Sequence, residues 1–250
     1  KPQQITAVFF CALPIFIPNF VCMISVIIPV YNEEQTIAAL VTYLKQHGGS
    51  LLQEIIVCDA ASNDATKDEA AKAGATVVVS PQKGRGAQLN YGASRASGSV
   101  FYFVHADVFP PQSFAADIQQ AIRDGFALGR YRTKFNSNKW FLSINAWFTR
   151  FDWFICYGGD QTLFITKELF QAVGGYRNDM RVMEDYEFVK RARIQGRYKI
   201  LRKAALISAR KYVKNSWWKV QTAHRKIIAM YRKGASQEEM AVAYKRLLNW

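Results

Sequence analysis

The stretch "VFYFVHADV" (100–108) decides how the chain is read. Its first half has the Phe, Tyr and Val of a strand buried in a sheet, and its second half carries His105 and Asp107, which a sheet interior accepts only with partners. The polar pair therefore belongs where the strand emerges, facing a ligand. Toward the N-terminus, "ISVIIPV" (24–30) is another β-branched run, and "NEEQTIAALVTYLKQHG" (32–48) follows it with Ile37, Leu40, Val41 and Leu44 at helical spacing until Gly48 and Gly49 stop it. Between these two stretches lie "EIIVCDA" (54–60) as a strand, "ATKDEAAKAGA" (65–75) as a helix, "TVVVS" (76–80) as a strand and "RGAQLNYGASRAS" (85–97) as a helix.

Strand and helix alternate, which predicts an α/β fold: a mostly parallel, Rossmann-like sheet covered by helices, because parallel neighbours need crossover connections and both faces buried. Ligands of such sheets bind beyond the carboxyl ends of the strands. The polar loops fall there: "YNEE" after the first strand, "DAASND" after the second, "PQKGRG" after the third and "HAD" after the fourth.

The chain has 250 residues, 50% of them hydrophobic, enough for a sizeable core. Its four cysteines (Cys11, Cys22, Cys58, Cys156) form no CxxC pair or zinc spacing, which points to a reducing, cytoplasmic setting. Most of the net charge of +14 lies late in the chain, where residues 177–250 hold 19 Lys+Arg against 6 Asp+Glu. Such a field attracts phosphates in nucleic acid, anionic lipid or a small molecule. Residues 1–23 are an apolar tail, but Pro14, Pro18 and Asn19 interrupt it and a strand begins at once at Ile24, so a membrane span is the weaker reading. The segment 211–250 reads as basic, amphipathic helices. In it "KNSWWKVQTAHRKIIAMYRKG" (214–234) suits either packing on the α/β domain or peripheral contact with the inner face of a membrane.

The loops carry candidate chemistry. Asp107 is a hard oxygen donor suited to Mg²⁺ or Mn²⁺, or else a turn former. Lys83 and Arg85, set between glycines, suit phosphate, though a solvated basic turn has the same composition. Ser62 and Asp64 serve as helix caps, whereas Asp59 points to the same rim and can take a hydrogen bond from a nucleoside. Glu184 and Asp185 in "MEDYEF" (183–188) open a helix, where acids complement its dipole or act as a general base. No GxGxxG follows the first strand and no GxxxxGK[ST] occurs, so dinucleotide and P-loop readings lose support.

Taken together and in order, "SVIIPVYNEE", "DAASNDAT", "KGRGAQLNYGA", "FVHADV", "GGDQTLFITKELFQAVGGY" and "MEDYEF" resemble the family 2 glycosyltransferases of GT-A fold, from about residue 24 to 210. The resemblance implies an inverting transferase that uses a nucleoside diphosphate sugar and a divalent metal. Carried over by position, Pro29, Tyr31, Glu33 and Asp59 would line the nucleoside pocket, with Lys83 and Arg85 near the diphosphate. Asp107 matches the last Asp of the D-x-D motif and would hold the metal. His105 replaces the first carboxylate, and either contacts the nucleotide or joins the metal, favouring Mn²⁺ over Mg²⁺. Asp185 would be the base with Glu184 in support, and Gly159, Asp160 and Gln161 would meet the acceptor, whose identity stays open. The alternatives are a non-catalytic nucleotide-sugar binder and a nucleic-acid binder. The latter leaves the strand-end loops unexplained and lacks any recognised motif, so nucleic acid is not an expected partner.

Overall fold

A computed structural model describes residues 21–157 and 161–248. Its first half follows the alternation read from the sequence: β1 (Ile24–Val30), α1 (Ile37–Gly48), β2 (Leu52–Asp59), α2 (Thr66–Lys72), β3 (Thr76–Val79), α3 (Arg85–Arg95) and β4 (Val100–Phe103). The second half adds β5 (Val108–Phe109), α4 (Phe114–Arg123), β6 (Leu128–Phe135), α5 (Trp140–Phe148), β7 (Leu163–Thr166), α6 (Lys167–Ala172), α7 (Glu184–Gln195) and β8 (Tyr198–Ile207). Three helices close the described chain: α8 (Lys211–Lys214), α9 (Trp217–Arg232) and α10 (Gln237–Leu247).

All eight strands form one sheet in the order β3-β2-β1-β4-β7-β6-β8-β5. The β3-β2-β1-β4 half is parallel, as expected. Beyond it β7 runs antiparallel to both β4 and β6, and β5 runs antiparallel to β8. The predicted fourth strand is therefore two. Its last ladder bond is Val104 N–H to the Ile27 carbonyl, after which the chain turns, with Val108 N–H donating to the His105 carbonyl at 3.1 Å. The segment then reappears at the far edge of the sheet as β5, so His105 and Asp107 lie in the turn between strands.

Alternation along the strands feeds a core on each face of the sheet. Val26, Ile28 and Tyr102 pack with Leu40 and Leu44 of α1 and Phe114 of α4. On the opposite face Ile27, Phe101 and Phe103 meet Leu89 of α3, Phe170 of α6 and Phe188 of α7. α3 lies so close to the sheet that a Cβ at Gly92 would sit 2.5 Å from Ile27 Cγ2 and 2.7 Å from Cys58 Sγ.

The C-terminal helices pack onto this body. Ser216 caps α9, accepting from Lys219 N–H at 3.3 Å, and Ser236 with Glu239 forms a capping box on α10. Ile227 and Ile228 of α9 and Met240 of α10 then close over Met180 and Met183, just ahead of α7. The aliphatic stripe of α9 is thus core, while Trp218 is 71% exposed. No described helix is long and apolar enough to cross a membrane.

Candidate active site

The loops after β1 and β2 are tied into one rim. Asn32, at a left-handed φ of 55°, donates its N–H to Ser62 Oγ at 2.9 Å, and Glu33 N–H donates to Thr66 Oγ1 at 2.8 Å. Asp59 is not at the open rim as expected. It is fully buried, its carboxylate accepting from both the N–H and the hydroxyl of Ser62, and so holds the crossing of the two loops. Gln88 of α3, which the sequence reading passed over, donates to the carbonyls of Val30 at 2.9 Å and Cys58 at 2.7 Å, pinning the ends of β1 and β2. Tyr31 projects from this rim at 53% exposure, whereas Pro29 lines a narrow niche with His105, Gln161, Tyr176 and Asp185.

The two adjacent acids at the start of α7 have different surroundings. Met183, at a left-handed φ of 69° that costs a non-glycine residue energy, aims the first turn. Glu184 is 2% exposed and accepts from Arg85 Nε at 2.6 Å. Asp185 is 17% exposed, 3.8 Å from Arg85 Nη1, and faces the niche that holds His105. Arg85 was expected at the diphosphate; it lies first against these carboxylates, while Lys83 stays exposed on the preceding turn. Burial, followed by the charges of Asp185 and Glu184, pushes the Tyr176 phenol well above its ordinary range, so it stays protonated beside the acids.

Across the rim Asp107, 11% exposed, pairs with Arg210 Nε at 3.1 Å. The same guanidinium forks onto Glu33, with Nη1 2.7 Å from its carboxylate. Arg210 follows β8, and Ser208 N–H donates to the Asp107 carbonyl at 3.2 Å, which fixes the strand end against the turn. Sequence reading missed Arg210, treating it as the limit of the matching region; the signal was a basic pair directly after a long strand. A divalent ion has a suitable donor in Asp107, with the imidazole of His105 on the same turn. Among the described residues no group of three or more metal-ligating side chains exists. That donor set fits an ion completed by water and phosphate oxygens, as Mg²⁺ and Mn²⁺ sites at diphosphates are, and does not fit a closed protein cage.

Asp185 also lines a chamber with Arg85, Tyr186, Lys211 and His224, and this chamber shares Tyr186, Lys211, His224 and Ile228 with a cleft of about 410 Å³ between α5 and α9. Gln161, held by a 2.7 Å bond to the Cys156 carbonyl, lines both the niche and the cleft. Gly159 and Asp160 lie outside the described residues. A third residue the sequence did not reveal is Arg130, 2% exposed, which donates to the carbonyls of Thr149 at 2.7 Å and Phe151 at 3.2 Å and shapes the turn leading into the cleft wall.

Known proteins resemble the chain in sequence and in fold. Residues 25–179, more than half of the chain, match the sequence model of "Glycosyl transferase family 2". Glucosyl-3-phosphoglycerate synthase of Mycolicibacterium smegmatis is 36% identical over 96 residues, 35% of this chain and 32% of that protein. Dolichol-phosphate mannosyltransferase of Pyrococcus furiosus is 31% identical over 107 residues, 41% of this chain and 30% of that protein. The matches thus span about a third of the length of these curated relatives. In fold, the chain resembles a mannosyltransferase from Pyrobaculum calidifontis in complex with GDP-Man and Mn²⁺, with a TM-score of 0.64 at 16% identity, covering 92% of this chain and 70% of the other. With a parallel half-sheet whose strand ends carry the matched loops, and a family match over most of that region, the chain belongs to glycosyl transferase family 2.

Proposed function

We propose that this chain transfers a sugar from a nucleoside diphosphate sugar to an acceptor hydroxyl with inversion at the anomeric carbon. The observation that carries the reading is the division of labour at the start of α7: Glu184 is buried and spent on Arg85, while the neighbouring Asp185 is partly open to the niche and the chamber. Asp185 accepts the proton of the acceptor hydroxyl, that oxygen bonds to the anomeric carbon, and the bond from this carbon to the diphosphate oxygen breaks, releasing the nucleoside diphosphate. Glu184 fixes Arg85, which together with Lys83 and Arg210 offers cationic charge to the leaving diphosphate. Asp107, with His105 beside it, would hold Mg²⁺ or Mn²⁺, which when bound neutralises charge on the diphosphate. Pro29, Tyr31 and Glu33 line the nucleoside side of the rim, Asp59 acts there by bracing the loops, and Gln161 with Gly159 and Asp160 serves the acceptor.

The GT-A unit spans 24–210, with 211–250 as a helical appendage. Trp218 at 71% and Val213 at 80% exposure, set among the bases of 211–234, favour peripheral docking on the inner face of an anionic membrane. The test of the catalytic reading is a screen of UDP-, GDP- and TDP-sugars with Mn²⁺ or Mg²⁺, scored by release of nucleoside diphosphate. Release from at least one donor is expected, and none from any donor with either metal refutes it. Co-sedimentation with anionic and neutral vesicles tests docking, which predicts salt-sensitive binding to the anionic ones alone; no binding to either at low salt removes it.

A further inference from the structure

The cleft of about 410 Å³ beside Asp185 has a composition that names its occupant. Its volume falls within the ~300–1,000 Å³ range of small-molecule sites. One wall is made of Ile144, Phe148, Trp153 and Ile155. These side chains are 44%, 39%, 50% and 56% exposed, which is unusual for large apolar groups gathered in one concavity and not scattered over a surface. They are held in place: Phe151 and Trp153 stack at 4.7 Å, Phe148 lies 6.0 Å from Trp153, and Arg130 fixes the backbone of the turn between them. α5, which supplies half of this wall, has the sequence "WFLSINAWF" yet fully buries only Leu142 among its residues. Ile144 and Phe148 of this helix thus keep much of their apolar surface open to the cleft.

The cleft also carries bases, set among Trp217, Gln221 and Ile228. Lys211 and His224 approach each other at 3.5 Å, and Arg225 lies exposed one residue further along α9. Lys211 and His224 also line the chamber of Asp185, so the bases of the cleft adjoin the proton acceptor. A small hydrophilic acid would satisfy the bases and leave four large apolar side chains against water.

From this we infer that the acceptor is an amphipathic molecule: a hydroxyl and an anionic group at the Lys211–His224 end, beside Asp185, and an apolar chain lying along Ile144, Phe148, Trp153 and Ile155. The inference rests on the glycosyl-transfer reading for the word acceptor, but the ligand class is tested by binding alone.

The full chain is titrated calorimetrically with octyl phosphate, butyl phosphate and octanol. Octyl phosphate binds at least tenfold more tightly than either of the others, since four methylenes at ~0.8 kcal/mol each set an upper limit of roughly two hundredfold for the chain alone. Ile155→Asp and Arg225→Glu, both at exposed positions where folding is undisturbed, each weaken octyl phosphate at least fivefold and leave the affinity for UDP or GDP with Mn²⁺ unchanged. Equal affinity for octyl and butyl phosphate, equal affinity for octanol and octyl phosphate, or an Ile155→Asp protein that binds octyl phosphate normally would each overturn the inference. Absence of nucleotide binding in the unmodified chain, by contrast, would strike the transferase reading and leave the cleft result standing.

Discussion

Glu184→Gln and Asp185→Asn alter neighbouring residues by the same chemistry, and the structure assigns them opposite consequences. Glu184 is 2% exposed and 2.6 Å from Arg85 Nε, while Arg85 itself is 38% exposed. Removing one partner of a fully buried ion pair costs ~3–5 kcal/mol and of a surface pair ~0–1 kcal/mol. A pair with one buried and one half-solvated member falls between them, at about 2 kcal/mol. For a chain of this size ~1 kcal/mol moves Tm by ~2–4 °C, so Glu184→Gln lowers Tm by about 4–8 °C. Asp185 is 17% exposed, and its 3.8 Å separation from Arg85 Nη1 exceeds hydrogen-bond distance. That longer contact makes its neutralisation the smaller loss, about 1 kcal/mol and ~2–4 °C in Tm. Differential scanning calorimetry on both variants measures the difference directly. A Tm that falls as far for Asp185→Asn as for Glu184→Gln, or no fall for Glu184→Gln, refutes the assignment of Glu184 as the positioning acid.

Three further outcomes follow from single features. Asp107→Ala abolishes metal-dependent binding of a nucleoside diphosphate in calorimetric titration, because the turn after β4 loses its hard oxygen donor; unchanged affinity and metal requirement exclude Asp107 as a ligand. Gly92→Ala places a methyl 2.5 Å from Ile27 Cγ2 and costs ~1–3 kcal/mol by overpacking, read as a lower urea midpoint; an unchanged midpoint means that α3 does not rest on the sheet this closely. Burial pushes the Cys58 thiol from 9.0 up to about 12, so its share of stability is whole below pH 9 and is lost as pH rises from there toward 12. Cys58→Val therefore flattens the fall in urea midpoint between pH 9 and 10.5, and a steeper fall contradicts the desolvated thiol.

What could be read from the sequence was local. β1, α1 and the following elements carry their periodicity in contiguous residues, and α1 buries Ile37, Leu40, Val41 and Leu44 as their spacing requires. The rim was legible for the same reason, since each polar loop directly follows its own strand. Partnerships across the chain were not legible: Arg85 meets Glu184 and Glu33 meets Arg210 only because the sheet order brings distant strand ends together. The same limit hid the division of "VFYFVHADV", since the place where β4 leaves the sheet depends on β8 offering a new edge at Val108. β6 ("LGRYRTKF") keeps the strand alternation, Arg130, Arg132 and Lys134 against Tyr131, Thr133 and Phe135, and was passed over, whereas in β8 ("YKILRKAALI") the adjacent Arg202 and Lys203 interrupt it. Asp59 shows how a rim residue can turn inward: Ser62, three positions on, supplies both donors that let its carboxylate be buried.

The account turns on Asp185 taking a proton from the acceptor while leaving donor binding to other residues. The direct measurement pairs calorimetric affinity for the nucleoside diphosphate sugar with the rate of nucleoside diphosphate release, in the unmodified chain and in Asp185→Asn. Donor affinity within about twofold of the unmodified chain and a rate lower by ~10²–10⁴, the usual worth of a general base, is the expected result. A variant that releases the nucleoside diphosphate at an undiminished rate, or that loses donor affinity in step with its rate, would contradict it.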